Sequence, residues 1–174
     1  MKTIILTALF ITLGLLAGAQ GNPVDELFNK YSEREGFTVV TISGKMFNMF
    51  SQQNTEAGPE GKVMSKLNSI RILSVEDSGL NRSINFYSEL SKKLDFSVFE
   101  ELMVVKEGQD ITKFLIRQKG DIISELLVIT GGPGGNSLIS IQGNLDMKSL
   151  SEISKEIGIE DLDKIEKKPS GGGD

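Results

Sequence analysis

The chain has 174 residues, 19 Lys and Arg against 24 Asp and Glu, a formal net charge of −5, and no Cys, His or Trp. That length suits one domain whose apolar core needs no disulfide, and interspersed acidic charge argues against nucleic acid or anionic lipid as partner. Without His or Cys there is no Ser-His-Asp triad, no thiol nucleophile, no His or Cys zinc site and no haem ligation through those residues, so no cofactor is expected.

Residues 1–19 (MKTIILTALFITLGLLAGA) read as a secretory signal peptide: Lys2 is the basic start, Ile4 to Leu16 the apolar stretch, and Ala17-Gly18-Ala19 a small-x-small site that places cleavage between Ala19 and Gln20. The apolar stretch is shorter than the roughly 20 residues that span a bilayer. The expectation is an exported, soluble protein, periplasmic or secreted, with no transmembrane span after cleavage; lacking Cys, it is not a lipoprotein. Losing Lys2 leaves 18 basic against 24 acidic side chains, a net charge of −6. Residues 20–168 are expected to form a single domain, and residues 169–174 (PSGGGD) a disordered tail.

Asn22-Pro23 predicts a helix N-cap with Pro at the first position; Val24, Leu27, Phe28 and Tyr31 form its apolar face, and Gly36 its end. Residues 37–43 (FTVVTIS) predict a strand, broken by Gly44. Met46, Phe47 and Phe50 predict an apolar helical turn or two, and residues 51–61 (SQQNTEAGPEG) a flexible loop. Val63, Met64 and Leu67 suggest a short helix, residues 70–76 (IRILSVE) a second strand, and residues 77–81 a turn. Residues 83–94 predict one amphipathic helix buried through Ile84, Tyr87, Leu90 and Leu94, with Asn81 as its cap; capping explains Asn81-Arg82-Ser83 better than glycosylation does.

Residues 95–100 fit no pattern. Four strands follow, at 101–106, 111–118, 121–130 and 136–143, joined by EGQD, KG and GGPGG. Links this short favour antiparallel hairpins, because a parallel crossover needs about a dozen residues. Residues 122–129 (IISELLVI) are apolar at both parities apart from Ser124 and Glu125, which suits a central strand covered on both faces, or one face used in association. Asp146 is a cap for a last helix buried through Met147, Leu150, Ile153 and Ile157 and stopped by Gly158; Ile159, Leu162 and Ile165 suggest a further turn or two. The fold class is α+β: a C-terminal four-stranded meander plus one or two N-terminal strands, a mainly antiparallel sheet packed with amphipathic helices.

Two segments, residues 28–50 (FNKYSEREGFTVVTISGKMFNMF) and 126–154 (LLVITGGPGGNSLISIQGNLDMKSLSEIS), carry a family likeness. Aromatic-x-x-Tyr, Gly, a β run, Ser and Met-Phe in the first, and a hairpin followed by Ile-x-Gly-x-Leu-Asp and a helix in the second, resemble the bacterial domain of unknown function 4252 family. The resemblance implies an exported protein and provides no catalytic residues.

Candidate chemistry is sparse. No Lys has Ser three positions before it, so a Ser-x-x-Lys dyad is absent. Residues 131–135 (GGPGG) lack a following Lys-Ser or Lys-Thr and a helix, so a hairpin with glycines at positive φ is expected rather than a phosphate loop. Glu76-Asp77 and Glu100-Glu101 are neighbours whose side chains point apart on a strand, the pattern of solvated charge. Glu125, within the most apolar strand, is expected on an exposed patch; burial would raise its pKa or demand a Lys or Arg partner, and a buried cleft position would mark it as functional. Glu160, Asp161 and Asp163 alternate with apolar residues as an exposed helical face does, and lack the order of a calcium loop. Phe47, Met49 and Phe50 are expected to pack under the sheet, with an exposed patch for a partner as the alternative.

The resulting expectation is an exported, non-catalytic binding module whose partner is a protein or envelope component, with self-association possible. The alternatives are a carboxylate hydrolase with two acidic groups about 5–10 Å apart across a cleft, and a small-ligand carrier with a pocket between sheet and helices.

Overall fold

The structure, a computed structural model, describes residues 21–53 and 63–157. The leader with its Ala19/Gln20 site, most of the 51–61 loop, Gly158, the 159–165 turns with Glu160, Asp161 and Asp163, and the 169–174 tail lie outside the described residues.

Helix α1 (Pro23–Tyr31) starts where its cap dictates: Asn22 Oδ1 accepts the Val24 N–H at 3.0 Å, and Val24, Leu27, Phe28 and Tyr31 are buried. It ends at Tyr31, five residues before Gly36. Gly36 instead turns the chain into the sheet at φ +82°, where a Cβ would meet Leu80 Cδ1 at 2.6 Å. Strand β1 (Phe37–Ser43) runs directly into α2 (Gly44–Gln53). Val63 and Met64 are helical, and Leu67 belongs to β2 (Leu67–Val75).

The turn expected at 77–81 is a short helix, α3 (Ser78–Ser83), and the helix expected over 83–94 is only α4 (Phe86–Leu90). A capping side chain starts each helix. Asp77 Oδ1 takes the Leu80 N–H at 2.8 Å, and Asn85 Oδ1 takes the Ser88 N–H at 2.7 Å. The extended residues Ile84 and Asn85 turn Phe86 into the core, fully buried, while Ile84 and Tyr87 stay half-buried and Leu90 and Leu94 are buried as expected. Asn81 caps nothing; its Nδ2 donates to Val75 O at 3.2 Å. A 3-10 turn (Phe96–Val98), capped by Asp95, fills the stretch that fitted no pattern.

The meander follows as β3 (Glu100–Glu107), β4 (Asp110–Lys119), β5 (Ile122–Gly131) and β6 (Ser137–Leu145), then α5 (Met147–Ile157). The six strands form one sheet, β1-β2-β6-β5-β4-β3, antiparallel at every pairing. Strand β5 is central and covered on both faces, which explains its apolar run: Leu127 and Ile129 pack with α1 and α4 on one face, Leu126 and Val128 with Phe47, Leu150 and Ile153 on the other. Each such fully buried Leu or Ile contributes about 2 kcal/mol relative to exposure. In α5, Leu150 and Ile153 are buried but Met147 is exposed.

The GGPGG segment is the β5–β6 hairpin, but positive φ explains only Gly132. The other demand is close approach: a Cβ on Gly131 would lie 2.7 Å from Tyr87 N, and one on Gly134 2.6 Å from Asp110 Oδ2. Asp110 Oδ1 accepts the Gly134 N–H at 2.8 Å, so the loop's backbone already holds a carboxylate of its own chain.

The residue after the glycines, Asn136, is 3% exposed and was not singled out from sequence. Its Oδ1 accepts the buried Phe86 N–H at 2.9 Å, and its Nδ2 lies within 3.2 Å of Asn81 O, Asn81 Oδ1, Ile84 O and Gly132 O. One side chain thus clasps the hairpin to the break between α3 and α4.

Candidate interaction surface

Helix α2 divides its apolar residues between inside and outside. Phe47 is 7% exposed and joins the core cluster of Ile70, Phe114 and Ile141. Met46, Met49 and Phe50 are 46%, 52% and 47% exposed. Spaced i, i+3 and i+4, these three make one stripe along the helix. Of the predicted trio, Phe47 is therefore core, while Met49 and Phe50 are surface and Met46 joins them. Gly44 lets the helix start hard against β2: a Cβ there would be 2.9 Å from Asn68 O. Ile42 of β1 packs on the cluster that holds Phe47, so Val40, two residues earlier, is on the same face of the sheet, 40% exposed.

Strand β1, which runs into α2, is a sheet edge; among the described residues nothing pairs with its outer side. It contains no charge and no Pro, and its register with β2 has no bulge.

Glu125 is not on an exposed patch: it is 3% exposed. The register sets Arg117 of β4 and Gln142 of β6 beside it, and Arg117 Nη2 lies 3.4 Å from Glu125 Oε2. Ser140 Oγ donates to Glu125 Oε1 at 3.1 Å and Gln142 Nε2 at 3.5 Å. Arg117 stacks its guanidinium 4.6 Å from the Phe99 ring centroid, and its buried Nε has no hydrogen-bond partner. The carboxylate is thus buried and ion-paired to Arg117, whose own side chain is 42% exposed and lines a groove of about 740 Å³ with Glu26, Lys93 and Asp95 among others.

A second groove, of about 210 Å³, lies between two helices, α1 and α4, and is lined by Glu26, Leu27, Lys30, Glu89, Leu90 and Lys93 among others. Its two carboxylates are each held by a lysine at 2.6 Å, Glu26 by Lys93 and Glu89 by Lys30. Tyr31 OH also donates to Glu89 Oε1 at 2.6 Å. Burial pulls Glu89 upward, but the Lys30 and Tyr31 hydrogen bonds together outweigh it and hold the carboxyl below its ordinary range. Tyr31 is raised, first by burial and then by its bond to Glu89. Glu100 and Glu101 part as expected, Glu101 to Lys113 and Glu100 to Gln118, each at 2.6 Å. Glu76 accepts from Ser74 and Asp77 caps α3.

Among the described residues no group of three or more acidic residues is placed to hold a metal ion, and no helix is long and apolar enough to cross a membrane.

The arrangement defines an antiparallel α+β domain with helices on both faces, one open uncharged edge and a greasy helix beside it. Residues 31–153 match the model of the domain of unknown function DUF4252, and the chain belongs to that family. The match runs from the end of α1 into α5, spanning nearly the whole of the two segments that carried the likeness. Among curated proteins and solved structures, nothing matches the chain.

Proposed function

We propose that this chain is an exported, non-catalytic binding module of the bacterial envelope whose working surface is the α2 stripe with the adjoining β1 edge. One observation carries the reading: three large apolar side chains, each about half exposed, stand in one row on a helix whose neighbour Phe47 is buried. Leaving such a row in water costs free energy that a binding partner recovers. The leader pattern supports export. The hydrolase reading has less support, because the carboxylates sharing the α1–α4 groove are both ion-paired, and Glu89 is held ionised where a general acid must keep its proton. The carrier reading has less as well, since side chains such as Leu73, Leu127 and Leu138, all fully buried, fill the space between sheet and helices.

The test is a photo-crosslinking side chain placed at position 49 in the native envelope, with position 106 on β3 as control. A discrete adduct from position 49 alone supports the reading. No adduct from position 49, or equal adducts from both positions, overturns it. Mass analysis of the native chain beginning at Gln20 supports export, and a retained Met1 refutes it.

A further inference from the structure

We infer that the occupant of the β1 edge is a second copy of this chain, joined strand to strand about a two-fold axis normal to the sheet. The inference rests on the reading of the β1–α2 side as the working surface and names its partner.

The hydrogen-bonding groups left free on β1 follow from two bonds. Val75 N–H donates to Asn136 O, on the β6 side, and Glu76 N–H donates to Gly36 O, on the β1 side. In an antiparallel ladder both backbone groups of a residue face the same neighbour, and the direction alternates along the strand. Ser74, Ile72 and Ile70 therefore bond to their register partners Thr38, Val40 and Ile42. The remaining residues of β1, Phe37, Val39, Thr41 and Ser43, turn their N–H and C=O groups outward.

This row has the properties that natural sheets suppress at an edge. It is seven residues long, β-branched and aromatic, uncharged, without Pro and without a bulge. The opposite edge, β3, is protected in the usual manner: it carries Glu100, Glu101, Lys106 and Glu107 and a register shift between Glu101 and Met103. One edge is guarded and the other left open.

The open edge is complementary to itself. Phe37 to Ser43 contains no charged side chain, so two copies run antiparallel set no like charges against each other. Opposed residues in such a pair point to the same face, so their numbers must sum to an even value, and the outward residues, all odd, meet that condition. Full overlap sets Val39 against the partner's Thr41 and Phe37 against the partner's Ser43. Val40, exposed on the α2 face, then meets the partner's Val40 at the axis. The axis also keeps both α2 stripes on one side of the joined sheet. Seven paired residues alone bury less than the roughly 1,000 Å² of a stable interface, and the half-exposed Met46, Met49 and Phe50 of both copies provide apolar area to reach it. Because β3 is guarded, pairing stops at two copies and does not grow into a fibre.

The test is sedimentation of the mature chain over a concentration series from nanomolar to high micromolar, with Thr41→Pro and Thr41→Lys. Thr41 is exposed and its N–H points outward, so Pro there removes no bond to β2. Wild type is expected to reach twice the chain mass. Thr41→Pro removes one hydrogen bond per copy and should weaken the dimer about 30-fold. Thr41→Lys sets a charge on each copy near the axis and should do the same without touching the backbone, which decides the matter if the Pro variant fails to fold. A monomer throughout the series, or a dimer that folded Thr41→Pro or Thr41→Lys leaves unchanged, overturns the inference. A wild-type monomer that still yields the discrete adduct from position 49 overturns the dimer alone and leaves the binding-module reading standing.

Discussion

Replacing Asn136 by Ala should destabilise the domain by about 3 kcal/mol. The Phe86 N–H, buried beside a fully buried Phe86 ring, would lose its acceptor at 2.9 Å. An unsatisfied buried donor costs about 1–3 kcal/mol. The carbonyls of Asn81, Ile84 and Gly132 would also lose the amide that gathers them, adding about 1 kcal/mol for a net hydrogen bond. Against a total stability of roughly 5–15 kcal/mol the loss is large. Asn136→Asp separates the two effects: it keeps an acceptor for Phe86 N–H but sets a carboxylate among carbonyls, and should cost at least as much at neutral pH. Urea unfolding followed by far-ultraviolet circular dichroism reads both. If Asn136→Ala shifts the free energy by less than about 0.5 kcal/mol, the range of ordinary surface substitutions, then Asn136 is not the clasp between the hairpin and the α3–α4 break.

Asp146 caps α5 and accepts from Lys66 Nζ at 2.8 Å, from the Ser149 N–H at 2.7 Å and from Ser149 Oγ at 2.9 Å; Lys66 first and the Ser149 groups next hold its pKa down to about 2. A depressed carboxylate stabilises the fold above its ordinary value near 3.8, and that contribution is lost as pH falls towards 2. The half-exposed pair is screened by water, so acid unfolding curves of Asp146→Asn should lose only about 1 kcal/mol of pH-dependent stability in that window; no change in the curve would refute the assignment. Tyr31 and Lys30 are both raised, so their shared contribution with Glu89 is present below the ordinary tyrosine value near 10 and fades above it. Tyrosinate absorbance should therefore show Tyr31 ionising above the ordinary tyrosine value, and Tyr31→Phe should abolish that phase and cost about 2 kcal/mol at neutral pH; a Tyr31→Phe titration that loses no phase above the ordinary value would contradict this. Phe47→Ala should cost roughly 3–4 kcal/mol, while Phe50→Ala, three residues along the same helix, should stay within about 0.5 kcal/mol by thermal unfolding.

Local rules carried some elements well. The β-branched run at 37–43 and its bounding glycines define β1 to the residue, and Asn22-Pro23 with Val24, Leu27, Phe28 and Tyr31 define α1 and its buried face. Short links also made the meander legible, because two to five residues leave room for nothing but a hairpin. What was not legible depended on partners distant in the chain. Ile84, Tyr87, Leu90 and Leu94 have perfect helical spacing, yet Asn85 caps α4 and Asn136, fifty residues later, takes the Phe86 N–H, so the helix starts only at Phe86, which is buried in place of Tyr87. Glu125 is buried because the register gives it Arg117 and Gln142, and register is a property of three strands together. The openness of β1 needed the strand order, since nothing within FTVVTIS distinguishes an edge from a centre. Met46, Phe47, Met49 and Phe50 are apolar around more than one side of α2, and periodicity alone could not say which side faced the sheet.

Amide hydrogen exchange along β1 tests the open edge most directly. The inward amides of Thr38, Val40 and Ile42 should exchange slowly at every concentration. Those of Phe37, Val39, Thr41 and Ser43 should exchange fast when the protein is dilute and become protected as it is concentrated, a change that Met49→Asp with Phe50→Asp should suppress. Outward amides that stay slow on full dilution, or fast at the highest concentration, would contradict an open edge that closes on its own copy.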